Sequence, residues 1–433
     1  MSNLKSSSSL KYENIINPVK DEIISKAINL HKEGNISKAI KYYQFCIDKG
    51  FNDFKVFSNF GNILQQLGKL EDAAILSRKA VDLKPDLAHL NFNLGNILKD
   101  LGRLQEAEIL LRKAIKLNPD LKVALNVLGD ILLDVGKLKE VILLSKSKLE
   151  SKSITPEDKL RALIQITCAN LQKGDFPETS FYLKKINELI EQGLLYIIKD
   201  IKTRQHSWFL TQFISSIYNE LEKNSYNSYS DKIPHIGESH CLSFAHQNLS
   251  ISSQVKTIQP VLITGGKAWH FANNKNNKWK DSLTKQIKNH NNSEEVFISF
   301  GEIDCRKDEG ILTYSIKKNK DISEVCETTI KGYLDYMEEK LTPNYSNKYY
   351  FGIPAPTRRK ESPDELDIKR IEMVKLYNSI LKIEVLSRGS CFLDVYALTS
   401  NKDGENNNLH MCDRTHLSPK CLSILFENYL HKS

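Results

Sequence analysis

The sequence predicts two folds in one chain: an all-α solenoid of helical hairpins, followed by an α/β domain with a parallel sheet. In the first part, Gly34, Gly68, Gly102 and Gly136 recur every 34 residues. In the last part, short apolar strand-like segments alternate with helical ones, the pattern of a parallel sheet covered by helices. A chain of 433 residues is also too long for one ordinary core, which predicts two or three domains.

The 34-residue period is shared by several independent sets of small residues and prolines. They are Gly61, Gly95 and Gly129, Ala39, Ala73 and Ala107, and Pro85 and Pro119. Agreement between these sets predicts repeated helical hairpins. No single hairpin can bury its apolar face alone, so the hairpins are expected to stack.

Within the second repeat, residues 59–67 are predicted to form the first helix and residues 71–83 the second. Gly68 lies in the turn between them, while Gly61 and Ala73 allow the paired helices to approach closely. The period and these small positions resemble the tetratricopeptide repeat. The resemblance implies a concave face that binds a protein or peptide partner. A spacer or an oligomerisation surface is the alternative.

Four segments are expected: a disordered tail over 1–17, four repeats over 18–152, a helical cap and linker over 153–226, and an α/β domain over 227–433. The tail is polar and serine-rich, and it has too little apolar content to offset the entropy lost on ordering. In the fourth repeat Val141 stands where alanine is expected, which indicates a transition into capping helices.

Composition excludes several classes of protein. Apolar runs fall short of the ~18 residues that a transmembrane helix needs, and the N-terminus lacks the apolar core of a secretory signal, so a cytoplasmic location is expected. The net charge of +8 is spread rather than striped, which does not support nucleic-acid binding. The eight cysteines form no C-x-x-C pair and are expected to be reduced thiols.

The α/β domain is predicted from five strands and three helices. The strands cover 233–236, 260–263, 296–300, 349–353 and 391–395, and the helices lie near 322–341, 364–387 and 418–431. In parallel sheets the functional site lies at the carboxyl ends of the strands. Polar motifs follow the first three strands and precede the last helix, as Gly237–His240, Thr264–Gly266, Gly301–Arg306 and Asp413–His416.

Over residues 232–430 these motifs resemble the SGNH (GDSL-like) hydrolases, which implies a three-layer α/β fold. The resemblance assigns Ser239 as the nucleophile, His416 as the base and Asp413 as the residue that orients it. The amides of Ser239 and of Gly265 or Gly266 would hold the oxyanion. Candidate oxyanion or substrate residues in the third motif are Gly301, Asp304 and Arg306.

The sequence departs from the SGNH pattern at two positions. Glu238 replaces the usual aspartate, and Ile303 stands where the family carries an asparagine that donates to the oxyanion. Losing one such donor costs roughly 100- to 1000-fold in rate. Arg306 would supply charge instead if it points into the site. The G-E-I-D-C-R string around Ile303 resembles a variant of bacterial SGNH-like proteins.

Other interpretations of these residues remain open. Ser239 alone would be an ordinary helix cap, Glu302 an ion-pair partner of Arg306, and Asp394 the acid of an α/β-hydrolase, although the G-x-S-x-G motif of that fold is incomplete. His410, Cys412, His416 and Cys421 match no common zinc spacing, so neither a metal nor another cofactor is expected.

Two functions follow from these observations. The first is a serine esterase or O-acyltransferase that acts on a small acyl ester, such as an acylated carbohydrate, and is tethered to a partner by its repeats. The alternative is an adaptor without strong catalysis, which Ile303 favours.

Overall fold

The computed structural model describes residues 6–151, 154–199, 201–223, 229, 231–357 and 364–430. The chain divides into two compact units, Met1–Leu128 and Gly129–Ser433. The division lies inside a helix of the fourth predicted repeat. The second unit therefore contains both the sheet and the helices that were expected to form a separate cap.

The first unit is entirely helical. Its helices are α1 (Ser6–Lys32), α2 (Ile36–Asp48), α3 (Phe54–Gln66), α4 (Leu70–Leu83), α5 (Ala88–Asp100), α6 (Leu104–Leu117) and the start of α7 (Lys122–Asp134). Helix α1 is described from Ser6, inside the segment 1–17, and residues 1–5 lie outside the described residues. The tail stays a prediction.

The repeat glycines lie in left-handed turns between paired helices, and the helical repeats are confirmed. Gly34, Gly68, Gly102 and Gly136 have φ of +76°, +73°, +75° and +74°. After α3 the amide of Gly68 donates to the carbonyl of Gln65 (3.0 Å), and the next amide reaches Leu64 (2.9 Å). This C-terminal cap needs a left-handed residue, which glycine adopts without a steric penalty.

A second set of glycines marks the closest approach of paired helices. A Cβ atom at Gly61 of α3 would lie 2.5 Å from Ser77 Oγ of α4. At Gly95 of α5 it would lie 3.2 Å from Leu111 Cγ and 3.3 Å from the Ala107 carbonyl of α6. The predicted role of these small residues agrees with these distances.

The second unit combines further helices with one six-stranded sheet. Before the sheet come α8 (Leu138–Leu149), α9 (Pro156–Lys173), α10 (Phe176–Glu191), α11 (Leu194–Ile197) and α12 (Ile201–Lys223). The strands are β1 (Lys232–Gly237), β2 (Asn248–Ile251), β3 (Gln254–Leu262), β4 (Glu295–Ser299), β5 (Asn347–Phe351) and β6 (Cys391–Leu393). The remaining helices are α13 (Ala268–Ala272), α14 (Lys278–Asn289), α15 (Ile311–Lys318), α16 (Ile322–Leu341), α17 (Glu365–Ser387), α18 (Val395–Thr399) and α19 (Cys421–Leu430).

The sheet is mixed rather than purely parallel. Its order is β2-β3-β1-β4-β5-β6, and every pair is parallel except β2 with β3. The sequence prediction missed β2, which joins β3 through Ser252 and Ser253, both at positive φ. A two-residue hairpin turn with two positive φ values is usually marked by asparagine and glycine, and two serines give no such signal.

Apolar side chains pack against both faces of the sheet. Ile298, Tyr350 and Phe392 belong to one buried cluster, with residues of α16 and α17. Phe297, Tyr349 and Leu393, each one position away, belong to another, with residues of α19. Burial of both faces explains why these strands are continuously apolar in sequence.

The helices before the sheet are hydrogen-bonded to it. Gln172 of α9 accepts from the amide of Leu262 through Oε1 (3.2 Å), and its carbonyl accepts from Gln259 (2.6 Å). The carbonyl of Asp134 in α7 accepts from Gln286 of α14 (3.1 Å). Among the described residues, no helix combines the length and the apolar character that crossing a bilayer requires. The cytoplasmic location stays a prediction.

Candidate active site

Three of the polar motifs follow strand ends that lie side by side. Gly237 at the end of β1 pairs with Leu262 of β3 and with Ser299 of β4. A Cβ atom at Gly237 would lie 2.7 Å from the Ser299 carbonyl oxygen, so the close strand contact requires glycine there. The register therefore brings the segments after β1, β3 and β4 to one edge of the sheet.

Ser239, His416 and Asp413 form one continuous chain of hydrogen bonds. Ser239 opens a 3₁₀ helix (Ser239–Phe244), and its Oγ lies 2.9 Å from His416 Nε2. His416 Nδ1 lies 2.7 Å from Asp413 Oδ2. The structure thus brings together the three residues predicted as a triad, from positions 177 residues apart.

The hydrogen bonds around Asp413 determine the tautomer of His416. Burial alone would raise the pKa of Asp413, but the His416 side chain and the amides of His416 and Thr415 lower it below its usual range. The ionised carboxylate accepts the proton on His416 Nδ1. In the neutral imidazole with its proton on Nδ1, Nε2 is the acceptor for the Ser239 hydroxyl, as a general base must be.

The turn that carries His416 is held by two further contacts. Asp413 Oδ1 accepts from the amides of Thr415 (2.6 Å) and His416 (2.7 Å). His240 Nε2 lies 3.0 Å from the Thr415 carbonyl, which can only accept, so Nε2 is the protonated nitrogen of His240. Burial lowers the pKa of His240 to about 4. His240 is therefore neutral and anchors the turn.

Glu238 and Glu302 are buried beside the serine, and their surroundings shift their pKa values in opposite directions. Burial and the charge of Glu302 raise the pKa of Glu238 well above its usual range. Burial also disfavours the charge on Glu302, but Arg306 outweighs it and lowers the pKa of Glu302. Arg306 donates to Glu302 through Nε (2.9 Å) and Nη2 (2.8 Å). Arg306, considered as a replacement for the missing oxyanion donor, is thus paired with Glu302. The alternative interpretation was this ion pair.

The two glycines of the second motif have different roles in the turn after β3. The amide of Gly266 donates to the Ile263 carbonyl (3.1 Å) and is already used inside the turn. Gly265 has φ of +66°, a conformation that favours glycine. The preceding residue, Thr264, donates its amide to Asp134 Oδ1 of α7 (3.4 Å).

The third motif supplies structure around the serine. Ile303 is 7% exposed and its side chain has no donor. Asp304 accepts from the amides of Ala268 (2.7 Å) and Trp269 (3.1 Å), which caps α13. At Gly301, with φ of +121°, a Cβ atom would lie 2.8 Å from Tyr377 Oη. These contacts give Asp304 and Gly301 structural roles.

The rival interpretations find other partners. Asp394 caps α18 through the Ala397 amide (3.1 Å) and pairs with Lys382 (2.9 Å). Cys412 and Cys421 donate their thiols to backbone carbonyls, at 3.5 Å for the His416 carbonyl and 3.1 Å for that of His410. No group of three potential metal ligands occurs among the described residues.

One aromatic contact of the site was not predicted from the sequence. Phe213 of α12 stacks on the His416 ring, with centroids 3.6 Å apart and planes inclined by 16°. Its neighbours Trp208 and Phe209, which stand out as aromatic residues in the sequence, are 41% and 53% exposed. Phe213 lies far from His416 in sequence, and no local motif marks it.

The comparisons with known proteins concern the helical part of the chain. A tetratricopeptide-repeat family model matches residues 54–87 and 88–121. The N-terminal helical region therefore contains tetratricopeptide repeats, as predicted. No curated protein matches this chain.

Three solved structures illustrate the similarity. A crystal structure of MamA is 25% identical, with a TM-score of 0.36, and the match covers 39% of this chain and 95% of that one. MamA from Desulfovibrio magneticus RS-1 is 18% identical, with a TM-score of 0.36 and coverage of 40% and 96%. A tetratricopeptide repeat protein from Parabacteroides merdae is 16% identical, with a TM-score of 0.37 and coverage of 48% and 81%.

Proposed function

We propose that this chain is a serine esterase or O-acyltransferase that its tetratricopeptide repeats hold on a protein partner. The observation that carries the proposal is the hydrogen-bonded chain from Ser239 through His416 to Asp413, with distances of 2.9 and 2.7 Å. A serine that only capped a helix would not need a histidine on its hydroxyl or a carboxylate behind that histidine.

The proposed reaction proceeds through an acyl-enzyme. Ser239 Oγ attacks the acyl carbon while His416 Nε2 takes the hydroxyl proton, and Asp413 stabilises the imidazolium that results. His416 then gives this proton to the departing alcohol. Water, or the hydroxyl of an acceptor, loses a proton to His416 as it attacks the acyl-serine. His416 returns this proton to Ser239 Oγ as the bond between Oγ and the acyl carbon breaks, which regenerates Ser239 with a free acid or a new ester as the product.

The supply of oxyanion donors favours slow chemistry. The first amides of a helix have no acceptor within that helix, so Ser239, with Gly265, is the source we propose. The amide of Gly266 already donates a hydrogen bond within its turn, and the side chain of Ile303 has no hydrogen-bond donor. One missing donor lowers the rate by roughly 100- to 1000-fold. We therefore expect low turnover.

The nature of the substrate rests on the resemblance to SGNH hydrolases over residues 232–430. That resemblance favours an O-acyl group on a carbohydrate, an inference by family analogy alone. Next to Glu238 and His240 lies a cavity of about 20 Å³, which has room for about one water molecule. An acyl group must therefore approach Ser239 from another side.

An adaptor without turnover is the second candidate. The tetratricopeptide match over 54–121 supports protein binding independently of any chemistry. The partly exposed asparagines Asn59, Asn62, Asn93 and Asn96 recur at equivalent positions of α3 and α5. Amide side chains both donate and accept hydrogen bonds, which suits the backbone of an extended peptide.

Fluorophosphonate labelling of the full chain tests the enzyme. Wild type should be labelled at Ser239, and Ser239→Ala and His416→Ala should lose both labelling and hydrolysis of p-nitrophenyl acetate. Asp413→Ala should be intermediate, and Ile303→Asn should raise turnover by supplying the missing donor. Ser243→Ala, the same change on the same 3₁₀ helix, is the matched control and should behave like wild type.

The outcome decides between the two candidates. An unlabelled Ser239 in a folded wild-type protein, without hydrolysis or acyl transfer, would leave only the adaptor. For the docking role, peptides selected from a random library against the full chain should bind less well to Asn62→Ala with Asn96→Ala. Ile75→Ala with Ile109→Ala, two exposed residues on α4 and α6 with the same spacing, should bind normally. Equal binding by both pairs would contradict a peptide site on α3 and α5.

A further inference from the structure

The proposed base, His416, is covered by an aromatic ring from a helix outside the sequence motifs. Phe213 of α12 is 0% exposed and stacks on the imidazole at a centroid distance of 3.6 Å. The ring of His240 lies 4.9 Å from that of His416 and is tilted by 40°. His416 itself is 8% exposed, although a general base must be reachable by substrate through Ser239.

Helix α12 is held in place by contacts on either side of Phe213. Thr211, Ile214 and Ile217 are buried on the same helix. Near its end, Glu220 pairs with Lys420 (3.3 Å), the residue before α19. The aromatic ring is therefore presented by a helix that is buried on both sides of Phe213.

We propose that Phe213 is a positioning residue for His416, so that α12 completes the active site. The proposal rests on the proposed serine chemistry. The imidazole turns about its Cβ–Cγ bond, a torsion with broad minima, and hydrogen bonds at Nδ1 and Nε2 tolerate part of that motion. A ring stacked 3.6 Å away blocks that rotation. An aromatic face also attracts the imidazolium that forms during the reaction.

The helices before the sheet then contribute to the chemistry through α12. Without the Phe213 ring, His416 would lose the surface on which its imidazole stacks. Misplacement of a catalytic group by about 1 Å costs on the order of 100-fold in rate. Loss of the ring should therefore lower kcat, while KM for a small acyl ester changes little.

The kinetic test compares two ringless variants with one that keeps the ring. Phe213→Leu and Phe213→Met should lower kcat for p-nitrophenyl acetate by about 10- to 100-fold, with KM within about twofold. Phe213→Tyr should restore most of kcat. Phe209→Leu, the same change one turn earlier at an exposed position, is the matched control and should keep wild-type kinetics. Wild-type kcat in a folded Phe213→Leu protein would overturn the proposal.

A second measurement remains informative if the chain has no turnover. The His416 Nδ1 proton, bonded to Asp413, should give a slowly exchanging signal in the wild-type NMR spectrum. It should exchange about tenfold faster in Phe213→Leu and Phe213→Met, because the ring can then rotate and open. Unchanged exchange in both variants would refute positioning by Phe213. Altered exchange in a protein without activity would refute only the proposed enzyme function.

Discussion

Replacing Gly95 by leucine tests how closely the paired helices of the third repeat approach. The first added carbon would already lie 3.2 Å from Leu111 Cγ, 3.3 Å from the Ala107 carbonyl and 3.5 Å from Leu110 Cβ. Three more carbons have no room without displacement of α6. Overpacking of this kind costs about 1–3 kcal/mol, whereas a better helix former than glycine returns about 1 kcal/mol.

The expected net loss is therefore up to about 2 kcal/mol in the free energy of unfolding. Gly95→Ala, which adds only the first carbon, should stay within about 1 kcal/mol of wild type because the two effects nearly cancel. Urea unfolding followed by circular dichroism measures both. His89→Leu places the same side chain at an exposed position of α5 and is the control. Equal stability of Gly95→Leu and His89→Leu would refute the close approach at Gly95.

Three further predictions concern the second unit. A fragment of residues 227–433 should be insoluble, because it lacks the α9 contacts to β3 and the Phe213 ring, whereas 122–433 should fold; a soluble, cooperatively melting 227–433 would contradict this. Burial raises the pKa of Asp134 from 3.8 to about 6. The stabilisation of the fold by protonated Asp134 is fully present below the pKa of this carboxyl in the unfolded chain, and it is lost as the pH rises through about 6. Asp134→Asn should therefore be more stable than wild type by about 1–3 kcal/mol at pH 7 and should lose the advantage near pH 4 in urea unfolding; an equal difference at both pH values would exclude this cause. Asp304→Ala should lower stability by about 0.5–2 kcal/mol through loss of the α13 cap, with Asp304→Asn less affected, and a stable variant with lost activity would instead favour its predicted role as an oxyanion or substrate residue.

Local patterns predicted the parts of the fold that depend on backbone conformation and on burial. The glycines at 34-residue spacing adopt left-handed φ, which is a local property of the turn, so their positions alone located the hairpin turns. Helix α16 occupies the same residues, 322–341, as its prediction. β2 was missed because a short edge strand joined by two serines carries neither the apolar run nor the turn residues that mark a strand.

The other residues of the site were less predictable than the three residues of the triad. Ser239, Asp413 and His416 were proposed from a resemblance, and the register of β1 with its neighbours is what allows their motifs to meet. Asp304, Arg306 and Gly266 were proposed as oxyanion or substrate residues from the same resemblance, but each has a hydrogen-bond partner elsewhere in the fold. A motif states which groups are present, whereas packing decides which of their hydrogen bonds are already used.

The sequence by itself determined the helical repeats, the strands of the sheet core and the chemical types of the residues at its edge. These features follow from backbone conformation, periodic burial and side-chain chemistry, all of which act over a few residues. Only the tertiary structure decided that α7, α9 and α12 belong with the sheet, through Asp134, Gln172 and Phe213. Such contacts join residues separated by 90 to more than 200 positions in the sequence. No local pattern can specify them, because they depend on how whole helices pack against the sheet.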